Sequence, residues 1–292
     1  MRRTGARRKY GTDVTDGQWE RLKAWIPEVS PKTMQGTIPR REIVNGVCYV
    51  LRTGCSWRNM PHDLPNGKTV YYYFRKWKQD GTWERAMTAL RKEARKKLKR
   101  EEEPSAAIID SQSIKTSGVR GKEKGYDGGK KIWGRKRHVL VDTQGFLLAV
   151  KVHAANISDK EGAKLLVAGK KSVFPRVEKL FGDHGYRGEV GLWIKEHVGW
   201  NLEVVAKEGK TAVERWLWLR NRAVRAEKEE KGFAVKRKRW IVERTLAWLI
   251  RYRRLARDYE GLPESSEAFI QIATIRLLLN RLVSWRSYGR WA

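Results

Sequence analysis

Cysteine is nearly missing. Cys48 and Cys55 are the only two in 292 residues, they share one apolar segment, and they lack the paired spacing of a zinc site. A disulfide framework is thereby excluded, and both read as reduced core residues. The five histidines, His62, His138, His153, His184 and His197, show no paired zinc spacing either, which disfavours a zinc enzyme. No apolar run approaches the length of a membrane span, and the opening MRRTGARRKY has no apolar stretch after its charges. The expectation is a cytoplasmic protein with no membrane partner. Acidic residues are also scarce, 33 against 63 Lys and Arg, for a net charge of +30 and a sequence pI near 10.3. That excess is far more than solubility requires. It points to a polyanion, because nucleic-acid phosphates reward clustered cations by releasing condensed counterions.

What is present organises the chain. A hydrophobic content of 40% supports a real core, and fourteen Trp argue for packed cores, base-stacking surfaces or both. Residues 1–10 hold five basic and no acidic residues and read as a flexible basic arm, with Arg2, Arg3, Arg7, Arg8 and Lys9 as candidate DNA contacts. A helix begins between Thr12 and Ile26, capped by Thr15 or Asp16, with Trp19, Leu22 and Ile26 at helical spacing. A second spans Arg41 to Thr53, stopped by Gly54, and a third runs from Thr69 to Leu98. Residues 11–100 therefore read as a small all-α DNA-binding domain of helix-turn-helix type, and 101–105 as a linker.

From residue 106 to 292 the order changes to strand, hairpin, helix, strand, helix, strand, helix, which predicts a mixed α/β sheet flanked by helices. The hairpin lies in RHVLVDTQGFLLAVKVHA, turning around Thr143-Gln144-Gly145. Before it, the stretch 118–137 is rich in Gly and cations, and Lys130, Lys131, Arg135, Lys136 and Arg137 are candidate phosphate contacts. Residues 213–230 look helical and highly charged. Helices follow from Arg239 to Leu255 and from Ser266 to Trp285. The latter carries Ile272, Ile275, Leu278 and Leu279, able either to complete the core or to join a second copy.

Three carboxylates stand out. In SAAIIDSQSIKTS the apolar run Ala106 to Ile109 suits a strand buried on both faces, and it ends on Asp110. The carboxyl edge of such a sheet is where ligands bind, although an aspartate there also serves as a local cap. FGDHGY repeats the pattern with Asp183, and Gly185 lets the chain turn. His184 reads equally as a phosphate contact or a structural residue. In KRKRWIVERTLAWLI, Glu243 shares a helix face with Arg239 and Ile250, an arrangement that taken alone describes a surface ion pair. Together, three carboxylates at one sheet edge suit two divalent cations about 3.5–4 Å apart, the arrangement that drives in-line phosphodiester displacement. Hard oxygen ligands select Mg²⁺ or Mn²⁺.

The phrases TDVTDGQWERL, YVLRTGCSWRNMP, TVYYYFRKWKQDGTWE, IIDSQSIKTS, KGYDGGKKIWGRKRHVLVDTQGFLLAV, FGDHGYRG and RWIVERTLAWLIRYRRLARDYE resemble the DDE transposases of bacterial insertion sequences, specifically the insertion-sequence-5 group. The resemblance covers nearly the whole chain. It implies a ribonuclease-H-like catalytic domain over 106–292, with Asp110, Asp183 and Glu243 as the catalytic, metal-binding triad for two Mg²⁺ or Mn²⁺ ions. Arg239 matches the signature arginine four residues before the glutamate. A related signature has Tyr three residues before that arginine and Lys seven after the glutamate. Here those positions hold Lys236 and Ile250, which leaves Arg251 as the candidate strand contact. The implied activity is cleavage at the terminal inverted repeats and transfer of the 3′-hydroxyl strands into target DNA. The implied partners are double-stranded DNA and a second copy or more in the synaptic complex, on the nucleoid when DNA-bound. Two alternatives are a basic DNA-binding regulator with a decayed catalytic domain and an RNA-binding protein; the intact carboxylate set argues against both.

Overall fold

Thr15 opens the first helix, α1 (Asp16–Leu22). Its side-chain oxygen accepts the Gln18 N–H, and the Gln18 side chain accepts the Thr15 N–H in return. The computed structural model describes residues 7–28, 38–117, 121–204 and 233–283, with side chains from 240 onward in the last stretch. Arg2, Arg3, the segment 213–230 and Trp285 lie outside the described residues. After α1 the chain tightens into a 3₁₀ turn, Lys23–Trp25. Helix α2 (Arg40–Thr53) stops at Gly54, whose φ of 76° supplies the left-handed cap.

The single helix expected from Thr69 to Leu98 is two, α3 (Gly67–Gln79) and α4 (Thr82–Lys97). Asp80 accepts from both the N–H and the hydroxyl of Thr82 (2.9 and 2.6 Å), and Gly81 takes φ 75°. The break brings Trp77 and Trp83 edge to face at 5.3 Å inside the core.

The sheet comprises β1 (Ala106–Lys115), β2 (Gly125–Asp127), β3 (Ile132–Asp142) and β4 (Leu147–Ala154), then, after α5 (Asp159–Val167) and α6 (Lys170–Val173), β5 (Lys179–Gly182), α7 (Glu189–Val198) and β6 (Asn201–Val204). Its order is β2-β3-β1-β5-β6, with β4 also on β3. The pairs β1–β3, β2–β3 and β3–β4 are antiparallel, while β1–β5 and β5–β6 are parallel. This is a ribonuclease-H-like mixed sheet preceded by an all-α segment. The last helices are α8 (Phe233–Leu249), α9 (Arg253–Ala256) and α10 (Pro263–Val283). The helix expected to reach Leu255 therefore stops six residues earlier, and a short separate helix follows.

Strand alternation sorts the core. Ile108, Val139, Val141 and Phe181 join Leu246, Leu249 and Ile275 on the face covered by α8 and α10. Ala107, Ile109 and Leu140 join Ala163 and Ile194 on the face covered by α5 and α7. The first cluster runs on without interruption into Val47, Phe74 and Trp77 of the helical segment. Ile272, Ile275, Leu278 and Leu279 of α10 are buried there, so they complete this chain's own core and are not a surface for a second copy. No helix among the described residues is long and apolar enough to cross a membrane.

Residues 101–105 do not hang free: Arg95 Nε donates to the Glu101 carbonyl at 2.7 Å, and Lys92 pairs with Glu103 at 2.9 Å. Arg95 also pairs with Asp142, which is fully buried and accepts the N–H groups of Gln144 and Phe146. This pin joins α4 to the β3–β4 turn. Asp142→Ala leaves a buried guanidinium without its counter-charge and is expected to lose about 3–5 kcal/mol. Urea unfolding at unchanged slope measures it, and Arg95→Met combined with Asp142→Asn should recover much of the loss.

Candidate active site at the edge of the parallel pair

Asp110 does not end its strand, contrary to the sequence expectation, because β1 continues to Lys115 along β3. What ends is the parallel partner. Ala106 pairs with Lys179, Ala107 with Leu180 and Ile108 with Phe181. Two more steps in that register set Asp110 level with Asp183, the residue after β5. Each carboxylate is held from its own chain: Asp110 Oδ1 accepts the Ser111 N–H at 2.7 Å, and Asp183 Oδ1 accepts the Gly185 N–H at 2.8 Å as cap of the 3₁₀ turn His184–Tyr186. Both side chains are half-buried, and His184 is exposed.

Helix α8 crosses this face of the sheet, packing on β1, β3 and β5. It is anchored at the β3–β4 turn: Arg244 donates to the Gln144 carbonyl at 3.0 Å and Thr245 to the Gly145 carbonyl at 2.9 Å. Gly145 has φ 81°, and a Cβ there would sit 2.8 Å from the Thr245 hydroxyl, so the grip requires glycine. The Arg244 guanidinium also stacks between Trp240 (4.7 Å) and Trp248 (4.6 Å). Glu243 stands beside this ladder on an exposed part of the helix.

Burial pushes the Asp110 carboxyl up to about 6, and the charges of Asp183 and Glu243 add to it, against the opposing Ser111 N–H and Lys130. The charges of Asp183 and Glu243 thus both reach Asp110, although among the described residues no three metal-ligating side chains close around a common point. The donor set fits a hard divalent cation, since like charges gathered over a desolvated carboxylate are relieved by positive charge and offer only oxygen.

A polar network beside the carboxylates escaped the sequence reading. Ser111 donates to Asp159 at 2.8 Å, and buried Lys136 pairs with Asp159 at 3.1 Å. His138 and His153 share a hydrogen bond of 2.9 Å, and burial lowers His138 to about 3, so it stays neutral. Burial, then the charges of Asp110, Asp159 and Asp183, hold the Tyr186 phenol far above its ordinary range. The available signal was polar alternation along β1, where Ser111 and Ser113 lie opposite His138 and Lys136.

Several expected DNA contacts are internal struts. Arg135 is 0% exposed; it pairs with Asp258 at 3.3 Å and donates to the carbonyls of Lys122, Glu260 and Gly261. Arg137 is 1% exposed, donates to the Leu255 carbonyl at 2.8 Å, and is lowered to about 10 by burial. Lys136 is consumed by Asp159, Asp127 and the Ile157 carbonyl. Arg7 is not part of a free arm, since it pairs with Asp13 and Glu42 at 2.8 and 2.7 Å. Arg8, Lys9, Lys130, Lys131 and Arg251 are exposed. Arg251 lines a cleft of about 660 Å³ with Tyr49, Arg52 and Arg276. The Arg239 side chain lies outside the described residues.

Residues 101–278 match the family model "Transposase DDE domain", and residues 14–87 match "Putative transposase of IS4/5 family". Two relatives come from Burkholderia cepacia. The insertion element IS402 uncharacterized 16.2 kDa protein is 28% identical over 36% of this chain and 75% of its own length. The putative transposase for insertion sequence element IS402 is 27% identical over 51% of this chain and 64% of its own length. The chain thus spans less than two thirds of that second relative. It belongs to the DDE-domain transposase family, of the IS4/5 type.

A carboxyl raised to about 6 when folded, against about 3.9 unfolded, destabilises the fold once ionised. The penalty is absent below the unfolded value and complete above the folded one. Asp110→Asn should therefore stabilise the metal-free protein at pH 7.5 by about 2–3 kcal/mol, and by nothing near pH 3.5. Thermal unfolding at the two pH values, without and with added Mg²⁺, checks this; Mg²⁺ should raise the midpoint of wild type and not of the variant.

Proposed function

We propose that this chain cleaves the ends of an insertion element and transfers the 3′-hydroxyl strands into target DNA, with Asp110, Asp183 and Glu243 as the catalytic metal ligands. One observation carries the reading: the parallel register sets Asp110 level with Asp183, while Glu243 on the crossing helix adds its charge to the same carboxylate. The three side chains would hold two Mg²⁺ or Mn²⁺ ions, which supply activation of the attacking oxygen and stabilisation of the leaving one. Asp110 and Asp183 then fix where the scissile phosphate sits, and the anchoring of α8 at Gln144 and Gly145 fixes Glu243.

Double-stranded DNA is the proposed partner. Net charge of +30 supports it, with Arg8, Lys9, Lys130, Lys131 and Arg251 as exposed contacts, and Arg2, Arg3 and Arg239 as further candidates. We place the helical segment 11–100 on the element ends and the domain 106–292 on the chemistry. Joining two ends requires at least two copies in the synaptic complex.

The test uses a supercoiled plasmid carrying the DNA that flanks the gene. Wild type should nick it only with Mg²⁺ or Mn²⁺. Asp110→Asn, Asp183→Asn and Glu243→Gln should each lose nearly all nicking yet keep DNA affinity, because affinity comes mainly from phosphate contacts. Full activity in any of the three removes that residue from the ligand set. A folded, DNA-binding wild type without metal-dependent cleavage would mark a regulator instead.

Among the basic residues, Lys130→Ala with Lys131→Ala should weaken duplex binding and flatten its salt dependence, by about 0.9 in logarithmic slope for each phosphate that the variant no longer neutralises. Arg135→Ala should instead lower the unfolding midpoint, since it strips a counter-charge from buried Asp258.

A further inference from the structure

The ribbon formed by β2 and β3 leaves two aromatic rings in water. Tyr126 and Trp133 lie directly opposite each other across the strands and are 51% and 61% exposed. A cross-strand aromatic pair so placed contributes almost nothing to the core, where burial of either ring would gain about 1.5–3 kcal/mol. Around the pair the outward charge is net positive, with Glu123 an exposed acid beside three exposed lysines. Lys122, Lys130 and Lys131 are exposed, whereas Asp127 is turned inward to Ser113, Lys136 and the N–H groups of Gly129 and Lys130. At the tip a Cβ on Gly128 would meet nothing within 4 Å, so a backbone can approach closely. The tip also borders the carboxylates: Lys130 Nζ donates to the Ser111 carbonyl at 3.4 Å, one residue from Asp110, and its charge acts on Asp110.

We propose that Tyr126 and Trp133 form a stacking platform for an unpaired base of the DNA strand whose phosphate enters the carboxylate site, with the ribbon lysines holding the backbone. The proposal rests on the transposase reading and adds a substrate preference to it. Aromatic faces stack on any base, and only on a base released from the duplex, so the platform favours frayed or single-stranded DNA beside Asp110 over closed duplex. A second copy of this chain is a poorer occupant, because ribbon and chain carry the same sign of charge.

The full chain is tested by fluorescence anisotropy, without metal and near physiological salt, on two duplexes of mixed sequence. Both are about 30 base pairs long and differ only in a short unpaired fork at one end, which also carries 2-aminopurine. Wild type should bind the forked probe about tenfold more tightly and quench the 2-aminopurine. Trp133→Ala and Tyr126→Ala should lose that preference while keeping blunt-duplex affinity, and Trp133→Phe should retain most of it. Both positions are exposed, and unfolding midpoints should confirm that the variants stay folded.

A wild-type protein that binds both probes equally overturns the platform, and so does an unchanged fork preference in Trp133→Ala. A Trp133→Ala variant that loses self-association instead of fork preference also overturns it, in favour of a second copy. Blunt-duplex binding and plasmid nicking by wild type report on the transposase reading separately. Their absence sinks that reading, whereas their presence without fork preference sinks the platform alone.

Discussion

The candidate active site depends on the parallel pairing of β1 with β5. Side chains alternate along a strand, so a slip of one residue would send Asp183 to the face opposite Asp110, and a slip of two would part them by about 6.6 Å. Packing on both faces holds the register. Ile108 and Phe181 enter the cluster under α8 and α10, while Ala107, Ile109 and Leu180 enter the one under α5 and α7. Gly182 makes the last step possible, because a Cβ there would lie 3.2 Å from the Ile109 side chain and 2.9 Å from the Tyr186 ring. A small residue at the end of β5 thus lets Tyr186 fold back over the pair and brings Asp183 round to Asp110.

That alignment works against the fold's own stability. Asp110 is desolvated and faces two like charges, while nearby Asp159 is satisfied by Ser111 and Lys136. Packing for stability alone would treat the two carboxylates alike. Here one is fully engaged from within, and its neighbour is left with the Ser111 N–H and the reach of Lys130, which is the expected signature of a position kept for an incoming cation.

Much of this was legible in the sequence where one strand or helix decides the matter. The run Ala106 to Ile109 marks a buried strand, FGDHGY marks a strand end and turn, and the hairpin turn falls at the expected Thr143-Gln144-Gly145. Readings failed where the deciding partner is remote. Arg135 and Arg137 count toward +30 like any cation, yet their partners Asp258 and Leu255 lie more than a hundred residues away. Arg7 reads as part of an arm until Glu42 is seen beside it. The break after Gln79 was readable locally, since Asp80-Gly81-Thr82 is capping chemistry, but the apolar spacing of Trp77 and Trp83 masked it.

The internal use of cations narrows which of them are left to meet an anionic partner. Arg95, Arg135, Lys136 and Arg137 are spent on fastening α4, β3, α5 and the segment after α8 to one another; Arg95 and Arg135 cannot turn outward without leaving buried Asp142 and Asp258 without their ion partners, and Lys136 and Arg137 would give up Asp159 and the Leu255 carbonyl. The exposed cations lie in two places: Lys130 and Lys131 at the tip of the β2–β3 ribbon, where Lys130 reaches the Ser111 carbonyl beside Asp110, and Arg251 just beyond the end of α8, in the cleft it shares with Arg52 and Arg276. The same β3 that is buried through Arg135 and Arg137 emerges at Trp133, so the strand that pairs with β1 beside Asp110 also sets the angle of the ribbon.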